Sequence, residues 1–209
     1  MLPIAGGALI AGSLLYVAGM ATSPPQDSMA AADYIEALAR DEGRTTLSAM
    51  LLHYGNMALA WLAAPALVRG RRGRVATIVG ALMSAVGLVT VTGFVLYDYW
   101  TAAIGRTLDP AAALALALYD SVGGNAAVGV VGILTLFGIV GPLVVYVGLA
   151  RAGVTGWWLL APAVAGIAAS MAVAFSPLPH AGFALVGAVP TVVVGLRMIA
   201  RRRAERPAA

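Results

Sequence analysis

The chain is dominated by apolar blocks that are long enough to cross a lipid bilayer. A helix needs roughly 20 predominantly apolar residues to span the hydrocarbon core. Six blocks meet this length, at about 2–22, 46–68, 75–98, 126–150, 155–175 and 181–200. Charged residues make up 11% of the 209 residues, whereas soluble domains carry about 25%. The sequence therefore predicts an all-α, polytopic membrane protein whose residues 1–200 form a single domain of six transmembrane helices.

The placement of arginine predicts the orientation of these helices. Short cytoplasmic loops carry an excess of basic residues. The segment "RGRRGR" at 69–74, Arg151 and the segment "RRRAER" at 201–206 all fall on one side if six helices alternate. We therefore expect both termini to be cytoplasmic, with residues 201–209 forming a basic cytoplasmic tail.

The composition limits the cellular compartment and the kinds of chemistry that are open to this chain. All thirteen basic residues are arginine, and alanine, glycine and valine are abundant, which is typical of a GC-rich bacterial genome and predicts a bacterial plasma membrane. Cysteine is absent, which excludes disulfides, thiolate nucleophiles and zinc–thiolate sites. The net charge of +4 comes from arginines beside apolar blocks, so it indicates topology and no nucleic-acid partner. No metal-binding or phosphate-binding motif occurs, and we predict no metal and no cofactor.

Two segments between the apolar blocks predict short helices at the outer interface. Residues 28–40 carry polar side chains at helical spacing beside apolar ones, which favours a helix lying on the membrane surface. In "TLDPAAALALALYDSVGG", Asp109 is a natural N-cap, Pro110 suits the first helical position, and Gly123 begins a stop. This second segment is too short to span a bilayer, so we expect it to lie along the outer face or to dip back into the bundle.

Ionisable and amide residues near the predicted outer ends of the helices are the candidate site. Polar residues inside spanning segments are costly and commonly functional. His53 lies about two turns inside the second block, and Asn56 shares its helix face. The predicted topology gathers both histidines, His53 and His180, with two acids at this end. The predicted ligand-binding residues are His53, Asn56, Tyr97, Asp98, Trp100, Tyr119, Asp120 and Asn125.

Each of these residues has a structural interpretation beside the functional one. His53 and Asn56 could simply hydrogen-bond a neighbouring helix, Asp98 could be an acid beside an aromatic belt, and His180 could be a loop residue. The functional interpretation pairs His53 with Asp98 or Asp120 across helices, where a carboxylate would orient the imidazole and raise its pKa. His53, Asp98 and Asp120 are accordingly the candidate catalytic residues.

The stretch from "HYGNMALAWLAAPALVRGRRGR" to "GLARAGVTGWW" resembles a broad, largely uncharacterised group of small six-helix integral membrane proteins of high-GC bacteria. The segments "PALVRGRRGR" and "VLYDYW" would be the helix boundaries of that group, and the resemblance implies a fold without an activity. In its small size and its carboxylates the chain is also similar to bacterial membrane-embedded terpene cyclases, a likeness that implies Asp98 and Asp120 as acids.

Three functions remain open from the sequence. The leading prediction is an outer-leaflet polar pocket that binds or moves a lipid or small amphipathic molecule. The alternative is an intramembrane acid–base enzyme acting on an isoprenoid or lipid, in which an acid and His53 transfer protons. The third is a structural or regulatory subunit whose small-residue faces bind a second copy of the chain or another membrane protein.

Overall fold

The computed structural model describes residues 1–58 and 61–204, and within these ranges all regular structure is helical. The predicted all-α class is therefore confirmed for this part of the chain. The α-helices are α1 (Leu2–Thr22), α2 (Ala31–Arg40), α3 (Glu42–Ala58), α4 (Arg74–Thr92), α5 (Phe94–Thr107), α6 (Ala113–Gly123), α7 (Ala126–Arg151), α8 (Leu160–Ala172) and α9 (Pro177–Ala204). Two 3-10 helices, Trp61–Leu67 and Trp157–Leu159, precede α4 and α8.

Five helical stretches of the described chain are long and apolar enough to cross a membrane. They are Leu2–Thr22, Glu42–Leu67, Arg74–Thr107, Ala126–Arg151 and Pro177–Arg201. The block 155–175 instead corresponds to a shorter apolar segment, Trp157–Ala172. At 1.5 Å per residue, this segment reaches about 24 Å, which is less than the roughly 30 Å of the hydrocarbon core.

Both segments expected at the outer interface contain a helix, but one of these helices starts at a different residue from the one predicted. The segment 28–40 contains α2, and the helix of the second segment ends at Gly123. However, the predicted N-cap at Asp109 is wrong, because α6 begins at Ala113 with Ala112 in the N-cap position. The Asp109 carboxylate instead accepts a hydrogen bond from the Ala111 N–H at 2.9 Å, which closes a turn before the helix.

Small residues let α4 and α7 approach each other closely. The buried residues of α4 include Thr77, Gly80, Ser84 and Gly87, which are spaced three and four apart. A Cβ atom built on Gly80 would lie 2.6 Å from the backbone nitrogen of Val145 on α7. Only small side chains permit such contact, and in membranes close packing of this kind is what holds helices together. These two helices form the first packed group.

The second group consists of α1, α3, α8 and α9. Gly55 of α3 lies against α1, since a Cβ atom there would be 2.8 Å from the Tyr16 nitrogen. Gly195 of α9 lies against Gly6 of α1, and Gly166 of α8 lies against Gly187 of α9. Helix α1 therefore lies between α3 and α9, while α8 packs against α9.

A shared core joins the two groups at one end of the bundle. The 3-10 helix Trp61–Leu67 contacts α1, α4, α7 and α9, and its Trp61 packs in one cluster with Tyr146 and Leu149 of α7 and Met198 of α9. We call this the arginine-rich end, because the segment 69–74 and Arg201 lie there. The opposite end, the distal end, carries α2, α5 and α6, which meet in a small core of Ile35, Ile104 and Ala115.

Candidate functional site

A cavity of about 460 Å³ lies between the two packed groups. Its walls come from α1, α3, α4, α7, α8, α9 and the 3-10 residue Trp61. The α1 residues that line it run from Ser13 to Met20, and the α9 residues run from His180 to Thr191. Both runs lie in the halves of these helices nearer the distal end. The volume falls within the range of about 300–1,000 Å³ that is typical of small-molecule sites.

Three neutral polar side chains line this cavity without a hydrogen-bond partner in the described part of the chain. Asn56 is 8% exposed, and its amide makes no hydrogen bond with these residues. Tyr16 of α1 also lines the cavity, and its hydroxyl likewise has no hydrogen-bond partner there. Trp61 is 2% exposed, and its indole Nε1–H is unpaired. A buried polar group left unpaired costs about 1–3 kcal/mol, so the cavity offers hydrogen bonds that the protein itself does not use.

Other polar groups in the wall are already paired. The hydroxyls of Tyr146 and Thr191 lie 2.9 Å apart and join α7 to α9. The Tyr146 ring meets the Trp61 ring edge-on, with centroids 5.5 Å apart. The Ser13 hydroxyl donates to the Leu9 carbonyl at 2.9 Å within its own helix. These pairs hold the wall together and leave the Tyr16 hydroxyl and the Asn56 amide available to a ligand, because protein atoms enclose the Trp61 Nε1.

His180 closes the distal end of the cavity wall and is 8% exposed. Its Nε2 lies 3.1 Å from the Ser170 carbonyl oxygen. Its Nδ1 lies 3.1 Å from the Ser176 backbone nitrogen and 3.0 Å from the Ser176 carbonyl oxygen. The rings of Phe175 and Phe183 pack on it at 4.6 and 5.7 Å. His180 therefore holds the end of α8 to the start of α9 rather than presenting a free nitrogen.

Of the residues predicted to bind a ligand, Asn56 is the one that lines this cavity. His53 is half-buried on the same helix, and its ring packs edge-on against Tyr54 with centroids 5.2 Å apart. Trp100 and Asp120 are exposed. Asn125 is also exposed, and its side-chain oxygen caps α7 by accepting from the Ala127 N–H at 2.9 Å. The ligand-binding roles of these residues outside the cavity stay predictions.

The remaining predicted residues gather in a separate cluster at the distal end. The Tyr34 hydroxyl donates a short hydrogen bond to the Asp98 carboxylate, which joins α2 to α5. The Tyr119 ring lies 6.1 Å from the Tyr34 ring and 5.6 Å from the Tyr97 ring. Burial, followed by the negative charge of Asp98, raises the pKa of Tyr34 above its usual value. The structure thus brings Asp98, Tyr97 and Tyr119 together, and Asp98 forms its hydrogen bond with Tyr34.

Sequence reasoning missed Tyr16, Trp61, Tyr146 and Thr191 of the cavity wall. The prediction from the sequence relied mainly on ionisable residues, whereas the described residues of this wall include no Asp, Glu or Arg. Single neutral polar residues inside apolar blocks were the available indication, and Asn56 was found in that way.

The chemistry of the site is that of an apolar chamber with a few hydrogen-bonding groups. Among the described residues, no three His, Asp or Glu side chains lie together in a way that could hold a metal ion. No known protein family, curated protein or solved structure matches the chain.

Proposed function

We propose that the chain is an integral membrane protein that binds or moves a lipid or small amphipathic molecule, and that the cavity between its two helix groups is the binding site. The observation that carries this proposal is Asn56, which is nearly buried and faces the cavity with its amide unpaired among the described residues. An unpaired amide in an apolar site is stabilised by any molecule that supplies a hydrogen bond. The apolar remainder of the wall favours a molecule that is itself largely apolar.

The two other functions open from the sequence receive less support. An acid–base enzyme of the predicted kind needs a carboxylate beside the reacting molecule, yet the described wall contains none. A purely structural subunit would be expected to have a filled bundle, because interior voids forfeit packing contacts. A cavity of about 460 Å³ therefore favours a binding role.

The proposed topology has six crossings, with both termini in the cytoplasm of a bacterium. In it, α8 and the 3-10 turn before it form the fifth crossing, while α2 and α6 lie at the outer interface. The cavity would then occupy the outer half of the membrane. Support comes from the arginines at 69–74, Arg151 and Arg201, which all lie at one end of the bundle.

Cysteine labelling tests this topology, and no native residue of the chain reacts with the label because the chain contains no cysteine. Gly70 and Asp27 are exposed at opposite ends of the bundle, so Gly70→Cys and Asp27→Cys make a matched pair. In intact spheroplasts, a membrane-impermeant maleimide should label the Asp27→Cys protein at once. It should label the Gly70→Cys protein only after permeabilisation, and the reverse pattern would overturn the proposed orientation.

Ligand retention tests the binding proposal. A Cβ atom on Gly187, which lines the cavity, meets no atom closer than 3.9 Å, so Gly187→Leu would extend into the cavity. Gly182→Leu is the matched control, because Gly182 lies on the same helix, is exposed, and has no atom within 4 Å of a built Cβ.

Wild type and both variants would be extracted gently from host membranes and examined by native mass spectrometry and lipid extraction. We expect wild type and Gly182→Leu to retain the same small molecule, and Gly187→Leu to lose it while its unfolding temperature stays close to wild type. Equal retention by Gly187→Leu, or no retained or rebound molecule in wild type, would refute the proposal.

A further inference from the structure

We infer that the ligand is an uncharged, single-chain amphiphile whose head carries a carbonyl or a similar hydrogen-bond acceptor. Its head would lie against Tyr16 and Asn56, and its chain would leave between α1 and α9 at Ser13 and Ala188. This inference rests on the proposed function and adds the class of molecule and its path to the bilayer.

The wall of the cavity selects against a charged head. A charge moved into an apolar site is strongly unfavourable unless an opposite charge meets it. No Asp, Glu or Arg of the described chain lines the cavity, and both ring nitrogens of His180 are already engaged. A phosphate, carboxylate or ammonium head would therefore lack a counter-ion.

The unpaired groups favour a head that accepts hydrogen bonds. Tyr16 carries one O–H and Asn56 carries two N–H bonds, so two of the wall residues can donate to a ligand. The Trp61 Nε1–H is enclosed by protein atoms and does not reach it. A ketone, quinone or ester carbonyl accepts such bonds while remaining neutral. The chemistry shared by these heads is a neutral carbonyl on a largely apolar molecule.

The size of the cavity limits what it encloses. At about 30 Å³ for each water-sized group, about fifteen such groups fill the volume of about 460 Å³. A ring or glycerol head with the beginning of one chain fits this space, and the remainder of a longer chain lies outside it.

A second, apolar depression provides a place for that chain. It has a volume of about 170 Å³ and lies between α1 and α9, with Leu14 and Leu185 in its wall. These two residues are 57% and 55% exposed, so the depression opens on the outer surface of the bundle. Ser13 and Ala188 line both the depression and the cavity. Two small side chains therefore separate the depression from the cavity. We infer that the hydrocarbon chain of the ligand bound in the cavity occupies the depression.

Trp61 provides the readout for the head group. Replacing Trp100, Trp157 and Trp158 by Phe leaves Trp61 as the sole tryptophan of the four in the chain, and quinones quench indole fluorescence on contact. Decylubiquinone would be titrated into this protein, with monoolein as a neutral ester competitor and lysophosphatidylglycerol as a charged one. Background quenching would be measured in the same protein carrying Gly187→Leu.

We expect saturable quenching above the Gly187→Leu background, displacement by a neutral competitor, and at least tenfold weaker displacement by lysophosphatidylglycerol. Asn56→Leu should weaken binding about tenfold, which is about 1.4 kcal/mol. Tighter binding of the quinone would identify a quinone-type carbonyl as the natural head, and tighter binding of monoolein an ester. If the charged lipid binds as tightly as the neutral ones and Gly187→Leu abolishes both, this inference fails while the proposed function stands. If Gly187→Leu binds every probe as tightly as wild type, this inference and the proposed function both fail.

The chain path has its own test. Val192 lines the depression but not the cavity. Val192→Phe should therefore weaken binding of decylubiquinone about tenfold and leave binding of the same quinone without its decyl chain unchanged. Ala200→Leu, at an exposed position of the same helix, should change neither. Equal weakening of both quinones by Val192→Phe, or no weakening of either, would overturn the proposed path.

Discussion

The contact between α4 and α7 gives a quantitative prediction for the substitution Gly80→Ala. A Cβ atom at Gly80 would lie 2.6 Å from the Val145 nitrogen, 2.7 Å from the Gly141 oxygen and 3.0 Å from the Val144 carbonyl carbon. All three are backbone atoms, so no side-chain rotation relieves the overlap. Since ordinary Cβ contacts begin near 3.4 Å, the two helices would have to separate locally by 3.4 − 2.6, or about 0.8 Å.

A gap of this width forfeits about a quarter to a half of each neighbouring van der Waals contact. Overpacking of this kind costs about 1–3 kcal/mol, and the better helix propensity of alanine returns up to about 1 kcal/mol. Because all three clashing atoms are backbone atoms, the cost lies at the upper end of this range, and Gly80→Ala should destabilise the fold by about 2 kcal/mol. Gly132→Ala is the control, because Gly132 lies on the partner helix α7 with no atom within 4 Å of a built Cβ. It should stabilise the protein by about 0.5–1 kcal/mol.

Unfolding in mixed micelles with increasing SDS, followed by circular dichroism, would compare the two variants with wild type. The expected order of stability is Gly132→Ala, wild type, Gly80→Ala. If Gly80→Ala is as stable as Gly132→Ala, then α4 and α7 are not held together by backbone contact at this position.

Three further predictions concern polar contacts. Tyr34→Phe should lower the free energy of unfolding by about 1–3 kcal/mol, because it leaves the Asp98 carboxylate without its Tyr34 bond; an unchanged SDS midpoint would contradict this. Because the pKa of Tyr34 is raised in the fold, its contribution is present below about pH 10 and is lost as pH rises above that value. The SDS concentration at the midpoint of unfolding should therefore fall more steeply with rising pH in wild type than in Tyr34→Phe. The same dependence on pH in both proteins would contradict this prediction. His180→Ala should lower the unfolding temperature clearly more than His53→Ala. The reason is that His180 contacts backbone groups of Ser170 and Ser176, whereas the ring of His53 packs on the exposed Tyr54. Equal shifts in the two variants would contradict a role for His180 in holding α8 to α9.

The sequence located the long helices well because length and hydropathy depend on local composition alone. The blocks at 2–22, 126–150 and 181–200 lie within α1, α7 and α9. The block 46–68 was less regular, because Pro65, which has no N–H to donate, lies in the 3-10 helix at its end. The block 155–175 gave a helix shorter than its hydropathy suggested, since α8 ends at Ala172.

The candidate site was harder to predict, because it depends on which helix faces meet. Asn56 was found since an amide in an apolar block is unusual. The pairing of Tyr34 with Asp98 joins residues 64 positions apart, and no local pattern indicates such a partner. Tyr16 and Trp61 resemble aromatic residues that commonly face lipid, and only the packing of the helices places both of them in the cavity wall.

The most direct test of the central claim is the structure of the protein held in its own host lipid, extracted with a membrane-solubilising polymer and determined by cryo-electron microscopy with a rigid fiducial. We expect elongated density in the cavity, with a polar end about 3 Å from the Asn56 amide. A cavity closed by its own side chains, or one that holds only ordered water, would contradict it.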